Sequence, residues 1–124
     1  MKKVLIIEDD IYIAKMYREY FDQGIMAEMI IRLTASSIKE AREKFNENKD
    51  ISVIVFDGVV VGPADKLPNT SELVSEFKKS FRGTMIAASG IPAYDEVLVK
   101  AGCDFFCEKS QVVNCVWDVL CSKK

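Results

Sequence analysis

The stretch Ile51-Ser-Val-Ile-Val-Phe-Asp57-Gly58 limits the possible folds more than any other part of the chain. Five of its first six residues are apolar, and then an aspartate arrives. An apolar run of this length, closed by Asp-Gly, predicts a strand covered on both faces, as in a parallel sheet. A carboxylate at the carboxyl end of such a strand lies where open α/β sheets bind ligands. Asp57 is therefore the candidate reacting group, and other polar clusters matter insofar as they converge on it.

The neighbouring segments supply the rest of a layered α/β domain. Lys3–Ile7 predicts a first strand, followed by the acids Glu8, Asp9 and Asp10. Ile13, Ala14, Tyr17, Tyr20 and Phe21 recur at helical spacing, and Gly24 is the expected stop. Ala27–Leu33 predicts a second strand, placed at an edge by Glu28 and Arg32. Ser37-Ile-Lys-Glu40 has capping-box form and opens a helix carrying Ile38, Ala41 and Phe45. After the Asp57 strand, Asn69 is the expected cap of a helix striped by Leu73, Val74, Phe77 and Phe81. Thr84–Ala88 predicts the fourth strand, ended by Ser89-Gly90. Pro92 suits a helix start, with Val97, Leu98 and Ala101 as the buried face. Asp104–Cys107 predicts the fifth strand, with Phe106 in the core. Val112, Val113, Val116, Trp117 and Leu120 stripe the last helix.

Strict strand-helix alternation implies right-handed crossovers and a parallel sheet between helical layers. The length of 124 residues suits one domain over 1–124. A net charge of −2 without a basic run offers no footprint for nucleic acid. The apolar runs fall short of the roughly 18–20 residues that span a bilayer, so no membrane role is expected. Met-Lys-Lys-Val-Leu-Ile-Ile-Glu stops too soon for a signal sequence and reads as a strand starting at once. Cys103, Cys107, Cys115 and Cys121 form no Cys-x-x-Cys pair, and the chain has no histidine. Paired zinc sites and Cys-His catalysis are excluded, and the cysteines read as small apolar residues in a reducing cytoplasm.

In a parallel sheet Glu8-Asp9, Asp57, Ser89 and Lys109 follow strands one, three, four and five, all on one edge. Two like charges about 4 Å apart cost on the order of 1–4 kcal/mol. A divalent cation relieves that repulsion, and hard oxygen ligands favour magnesium. Lys109 adds a positive charge, Ser89 a hydroxyl donor, and Gly90 leaves room beside it. Carboxylate nucleophile, cation, lysine and hydroxyl together suit phosphoryl transfer.

Over nearly its full length the chain resembles the receiver domain of two-component response regulators. The matching pieces are Val4-Leu-Ile-Ile-Glu-Asp-Asp10, Val53-Ile-Val-Phe-Asp57, Met85-Ile-Ala-Ala-Ser-Gly90 and Ala101-Gly-Cys-Asp-Phe-Phe-Cys-Glu-Lys109, in the family's order. The resemblance implies a flavodoxin-like (βα)5 fold with a five-stranded parallel sheet, order 2-1-3-4-5, and helices on both faces. It implies that Asp57 is the phosphoacceptor and that Glu8, Asp9, Asp57 and the backbone carbonyl of Val59 hold magnesium. Ser89, Gly90 and Lys109 would meet the phosphoryl group, and Phe106 would turn inward on activation. A sensor histidine kinase or a histidine phosphotransfer protein would be the donor, acting in the cytoplasm. The response would pass to a downstream protein or to an output domain outside this sequence, and the chain would not be a turnover enzyme.

Some positions depart from the family's pattern. Ser110 follows the lysine where the family usually has proline, Val61 replaces a proline four residues after Asp57, and the 58–68 loop is longer than usual. Phe106 lacks a tyrosine's hydroxyl. These departures motivate an alternative, a phosphorylation-independent interaction module with a receiver-like fold. A haloacid-dehalogenase-type phosphatase would need an aspartate where Val55 stands.

Overall fold

The computed structural model of the chain describes residues 1–60 and 69–122. The elements in order are β1 (Lys2–Ile7), α1 (Ile11–Phe21), α2 (Gly24–Met29), β2 (Ile30–Ala35), α3 (Ile38–Glu47) and β3 (Ile51–Phe56). They continue with α4 (Ser71–Lys78), β4 (Thr84–Ala87), α5 (Pro92–Ala101), β5 (Phe105–Phe106), a 3-10 turn (Lys109–Gln111) and α6 (Val112–Cys121). The five strands form one parallel sheet in the order β2-β1-β3-β4-β5. This is the predicted flavodoxin-like arrangement.

Residue alternation along the strands builds two cores. Leu5, Ile7, Ile54, Phe56, Met85 and Ala87 pack with residues of α3, α4 and α5 on one face. Val4, Ile6, Val53, Val55, Ile86 and Ala88 pack with Tyr17 and Phe21 of α1 and Val112 and Val116 of α6 on the other. Phe45 stacks on Phe77 at 3.9 Å between ring centroids, joining α3 to α4. β3 is therefore covered on both sides, which explains its unbroken apolar run.

Register decides where the strands end. Ile7 pairs with Phe56, Phe56 with Ala87, and Ala87 with Phe106. The ladder runs one residue further: Asp57 N donates to the Ile7 carbonyl (2.9 Å), Ala88 N to Phe56 (2.9 Å) and Cys107 N to Ala87 (3.0 Å). Glu8, Asp57, Ser89 and Lys109 thus emerge from one edge of the sheet.

Several local expectations are corrected. Residues 27–29 belong to α2, and β2 starts at Ile30 because its partner β1 offers no pairing before Lys2. α1 ends at Phe21, and Gly24, at φ +55, opens α2 instead of closing α1. The edge position of β2 holds, and Arg32 on it pairs with Asp22 at 2.9 Å. Ser37 caps α3 through Glu40 N at 3.0 Å, while the Glu40 carboxylate reaches back to Ser36 N. Asn69 does not cap α4. Its side-chain oxygen accepts from Val60 N at 3.0 Å, and Thr70 takes the cap position. Val97 is exposed whereas Leu98 is fully buried, because α5 turns only a narrow stripe to the core. β5 shrinks to two residues, and the Asp104 carboxylate accepts from Met85 N at 2.8 Å just before it. Val61 and most of the long 58–68 loop lie outside the described residues. Cys103, Cys107, Cys115 and Cys121 are free thiols, with Cys103 buried and Cys121 exposed.

Candidate functional site: an acidic cluster bridged by a lysine

The strand tips deliver the site. The buried run Val4–Ile7 carries Glu8 into the interior, and β3 does the same for Asp57, so both carboxylates are buried. Asp9 beside them is half-buried. Glu8, Asp9 and Asp57 each present a carboxylate oxygen, and these oxygens lie within 4.8 Å of one another. Asp10, the third acid of the run, points away from this group. It caps α1, accepting from Tyr12 N (2.9 Å) and Ile13 N (3.2 Å). The acidic run therefore divides its work between a cluster and a helix cap.

Lys109 bridges the cluster from the fifth strand. Its Nζ lies 2.7 Å from Glu8 Oε1 and 3.2 Å from Asp57 Oδ1. The lysine stem crosses Gly90, where an added Cβ would sit 3.6 Å from Lys109 Cε. Gly90 has φ +80, a conformation that other residues adopt only with strain.

The backbone around Asp57 is braced. Thr70, fully buried, donates through Oγ1 to the Asp57 carbonyl (2.6 Å) and contacts the Gly58 carbonyl (3.0 Å). Gly58 N donates to Asp57 Oδ1 at 2.8 Å. A Cβ on Gly58 would come within 2.9 Å of Tyr94 Cδ2 and 3.0 Å of Ser89 Cβ, so a larger residue would have to displace those side chains. Val59, next in the chain, is partly buried.

Crowding shifts the titrations. Burial, and next the neighbouring Asp57, push Glu8 up to about 7, with Lys109 pulling the other way. Burial and the Asp57 charge also raise Asp9. Burial alone would lower Lys109, but its bond to Glu8 and the charge of Asp57 outweigh that and hold it above its ordinary value. Carboxylates raised by burial and by one another mark a crowded group that a hard divalent cation would relieve. The donors are all oxygens and are already gathered, so the residues fit that ion.

Two predicted residues stand differently from expectation. Ser89 is beside the site, but its hydroxyl donates to the Ile91 carbonyl (2.8 Å) and accepts from Ile91 N (3.0 Å). Phe106, expected in the core, is 55% exposed. It sits on the two-residue edge strand β5, which has a pairing strand on one side only, so its ring is left uncovered.

Three further residues shape this region and escaped the sequence reading. Thr70 braces Asp57, Asp95 holds Ser89 N at 2.9 Å, and Tyr17 lies beneath the cluster with its hydroxyl unpartnered. An acid in the first turn after Pro92 was the available signal for Asp95. Thr70, at the cap of α4, carried none, and Tyr17 was legible only as part of the apolar stripe of α1.

No family model matches the chain. Among curated proteins it is 33% identical over 83 residues to elongation factor P of Thermosipho africanus, spanning 66% of this chain but 44% of that protein. That likeness covers less than half of the relative. Among solved structures the chain matches the signal receiver domain of a DNA-binding response regulator from Colwellia psychrerythraea, with TM-score 0.78, 18% identity, and coverage of 99% and 100% of the two chains. A response regulator from Burkholderia pseudomallei with a phosphorylated aspartic acid, calcium ion and citrate matches at TM-score 0.72 and 17% identity, over 97% of this chain and 66% of that one. A structure of the P1 domain of CheA3 in complex with CheY6 from R. sphaeroides matches at 0.69 and 12%, over 98% of both chains. The fold is that of a response regulator receiver domain, CheY-like, with the sheet order 2-1-3-4-5.

Proposed function

We propose that the chain is a phosphorelay receiver that takes a phosphoryl group onto Asp57 from a phosphohistidine donor, with magnesium present. The observation that supports this most is the gathering of carboxylate oxygens of Glu8, Asp9 and Asp57 within 4.8 Å, with Lys109 reaching Glu8 and Asp57 from the 3-10 turn after β5. Glu8, Asp9, Asp57 and the Val59 carbonyl would hold the ion. Bound there, magnesium supplies positive charge to the phosphoryl oxygens and offsets the repulsion of the acids.

An Asp57 carboxylate oxygen forms the new bond to phosphorus, the donor's P–N bond breaks, and the leaving imidazole takes up a proton. Thr70 and Gly58 N fix the nucleophile's orientation during this step. The Lys109 ammonium gives up carboxylate contacts for phosphoryl oxygens. Ser89 exchanges its bond to Ile91 for one to the phosphoryl group, and Gly90 leaves space for it. Phe106 then turns inward as a packing event, altering the face made by α5, β5 and α6. This is how the signal leaves the molecule, toward a downstream protein or an output domain.

A sensor histidine kinase or a phosphotransfer protein is the partner we infer, in the cytoplasm. The structural neighbour CheY6, solved with the P1 domain of CheA3, supports that class of donor. The chain acts as a phosphoacceptor that assists its own modification, without turning over a substrate. Among the described residues no helix is long and apolar enough to cross a membrane.

Mass spectrometry after acetyl phosphate and magnesium tests the proposal. The wild type should gain one phosphoryl group on Asp57, and Asp57→Asn should gain none. A wild type that stays unmodified and shows no magnesium-dependent response to beryllofluoride sinks it. The engaged hydroxyl of Ser89 and the exposed Phe106 favour a second reading, a phosphorylation-independent interaction module. Partner affinity unchanged by Asp57→Asn, with or without phosphodonor, selects that reading.

A further inference from the structure

Asp95 is a buried acid that the proposed phosphoryl chemistry leaves without a task. It stands in the first turn of α5, and its Oδ1 accepts from Ser89 N at 2.9 Å. Burying a carboxylate is costly unless it is hydrogen-bonded. Here the bond goes to the backbone of the very residue whose hydroxyl would have to change partners.

We propose that Asp95 is the positioning residue for Ser89: it fixes the Ser89 backbone so that rotation of the side chain alone carries the hydroxyl from Ile91 to a phosphoryl group on Asp57. This rests on the receiver reading and adds a residue to it.

The surrounding bonds support a fixed pivot. Ala88 N is held by the Phe56 carbonyl at 2.9 Å, so the residue before Ser89 is still part of the sheet ladder. The Ile91 carbonyl accepts from Tyr94 N (2.9 Å) and Asp95 N (3.1 Å), which ties the far side of the turn to α5. Asp95 therefore anchors the turn twice, by its own N–H to Ile91 and by its side chain to Ser89. Ser89 Cβ lies 3.0 Å from where a Cβ on Gly58 would be, directly beside the residue that follows Asp57. A hydroxyl on that carbon needs a new rotamer and no new backbone path to approach the Asp57 carboxylate. Staggered rotamers of serine interconvert readily, whereas moving a backbone held at both ends breaks several hydrogen bonds. Without Asp95 the pivot is loose, and ordering it falls on the phosphoryl-bound state.

The test is a double-mutant cycle read by beryllofluoride affinity at saturating magnesium, using calorimetry on the full chain. Asp95→Ala should weaken beryllofluoride binding on the order of tenfold. Ser89→Ala should do the same, and the double variant should lose no more than Ser89→Ala alone. Asp95→Asn, which keeps a carbonyl acceptor, should restore most of the affinity. Magnesium affinity measured alone should stay constant across the set. If Asp95→Ala does not fold, Asp95→Leu replaces it, filling the same space with no acceptor. Unchanged affinity in that variant, or a loss that adds fully to that of Ser89→Ala, overturns the role of Asp95 while leaving the receiver reading intact. A wild type that binds no beryllofluoride overturns both.

Discussion

The Lys109 ammonium lies 2.7 Å from Glu8 Oε1 and 3.2 Å from Asp57 Oδ1, joining two buried carboxylates that come from different strands. One cation thus stands in for the charge balance of a site built from three acids. The closer contact is to Glu8, not to the proposed nucleophile. Lys109 would therefore move away from Glu8 when a phosphoryl group arrives.

Replacing Lys109 with methionine should destabilise the protein by about 2 kcal/mol. Breaking a buried pair costs about 3–5 kcal/mol, but the lysine side chain is 19% exposed and solvent screens part of the charge. Magnesium should then stabilise Lys109→Met more than it stabilises the wild type, since the acids are left unbalanced. Urea denaturation with and without magnesium measures both effects. Equal magnesium responses would show that Lys109 does not share the charge of the cluster.

The raised titration of Glu8 makes stability pH-dependent with a definite sign. Its ordinary value is 4.5, and in the folded chain it is pushed up to about 7. Between these values the folded state holds a proton that the unfolded chain has released, so the proton favours folding at low pH. Metal-free stability should therefore fall as pH rises from about 4.5 to about 7 and then level off. Asp9, shifted in the same direction, adds to the slope. Magnesium affinity should rise through the same window, because the ion competes with the proton. Glu8→Gln should flatten the metal-free slope. Denaturation midpoints across the range check this, and a slope unchanged in the variant would assign the dependence elsewhere.

Tyr17 is 1% exposed, and its hydroxyl is the only buried side-chain polar atom among the described residues without a hydrogen-bond partner. Burial, reinforced by Glu8, pushes its phenol far above the ordinary value. An orphaned buried hydroxyl costs about 1–3 kcal/mol. Tyr17→Phe keeps the ring and should raise stability by about 1 kcal/mol. A thermal melt showing a clear loss instead would mean that the hydroxyl has a partner in solution.

Thr70→Val should cost about 1–3 kcal/mol, because the isosteric change removes the hydroxyl donor from the buried Asp57 carbonyl, while the Gly58 carbonyl keeps the Thr70 N–H. It should also slow phosphorylation of Asp57 by acetyl phosphate. Thr70→Ser should recover most of both. If valine changes neither stability nor rate, the brace is not needed to orient Asp57.

The main lines of the fold were readable because its periodicities are strong. The apolar run ending at Asp57 could bury itself only as a central parallel strand, and β3 is covered on both faces. The capping signal at Ser37 and the proline at the start of α5 also lie where their chemistry demands. The second strand was misplaced at its start because 24–29 is a six-residue helix with no buried residue, too short to show a period, and only pairing with β1 decides where extended structure begins. Asn69 looks like a cap from its type and position, but a bond to Val60 across the loop claims its side chain. Phe106 reads as core from its apolar character, yet coverage depends on neighbours that an edge strand lacks.

Sequence alone determined which groups exist and on which strand ends they fall: Glu8 and Asp9 after β1, Asp57 after β3, Ser89 after β4 and Lys109 after β5. Only the tertiary structure decided how those groups share their contacts. It gave Asp10 to the helix cap, Lys109 first to Glu8, the Ser89 hydroxyl to Ile91 and its backbone to Asp95. The reason is that hydrophobic alternation is written along the chain, whereas a hydrogen bond goes to whichever partner lies within about 3 Å, and that depends on every strand's register at once.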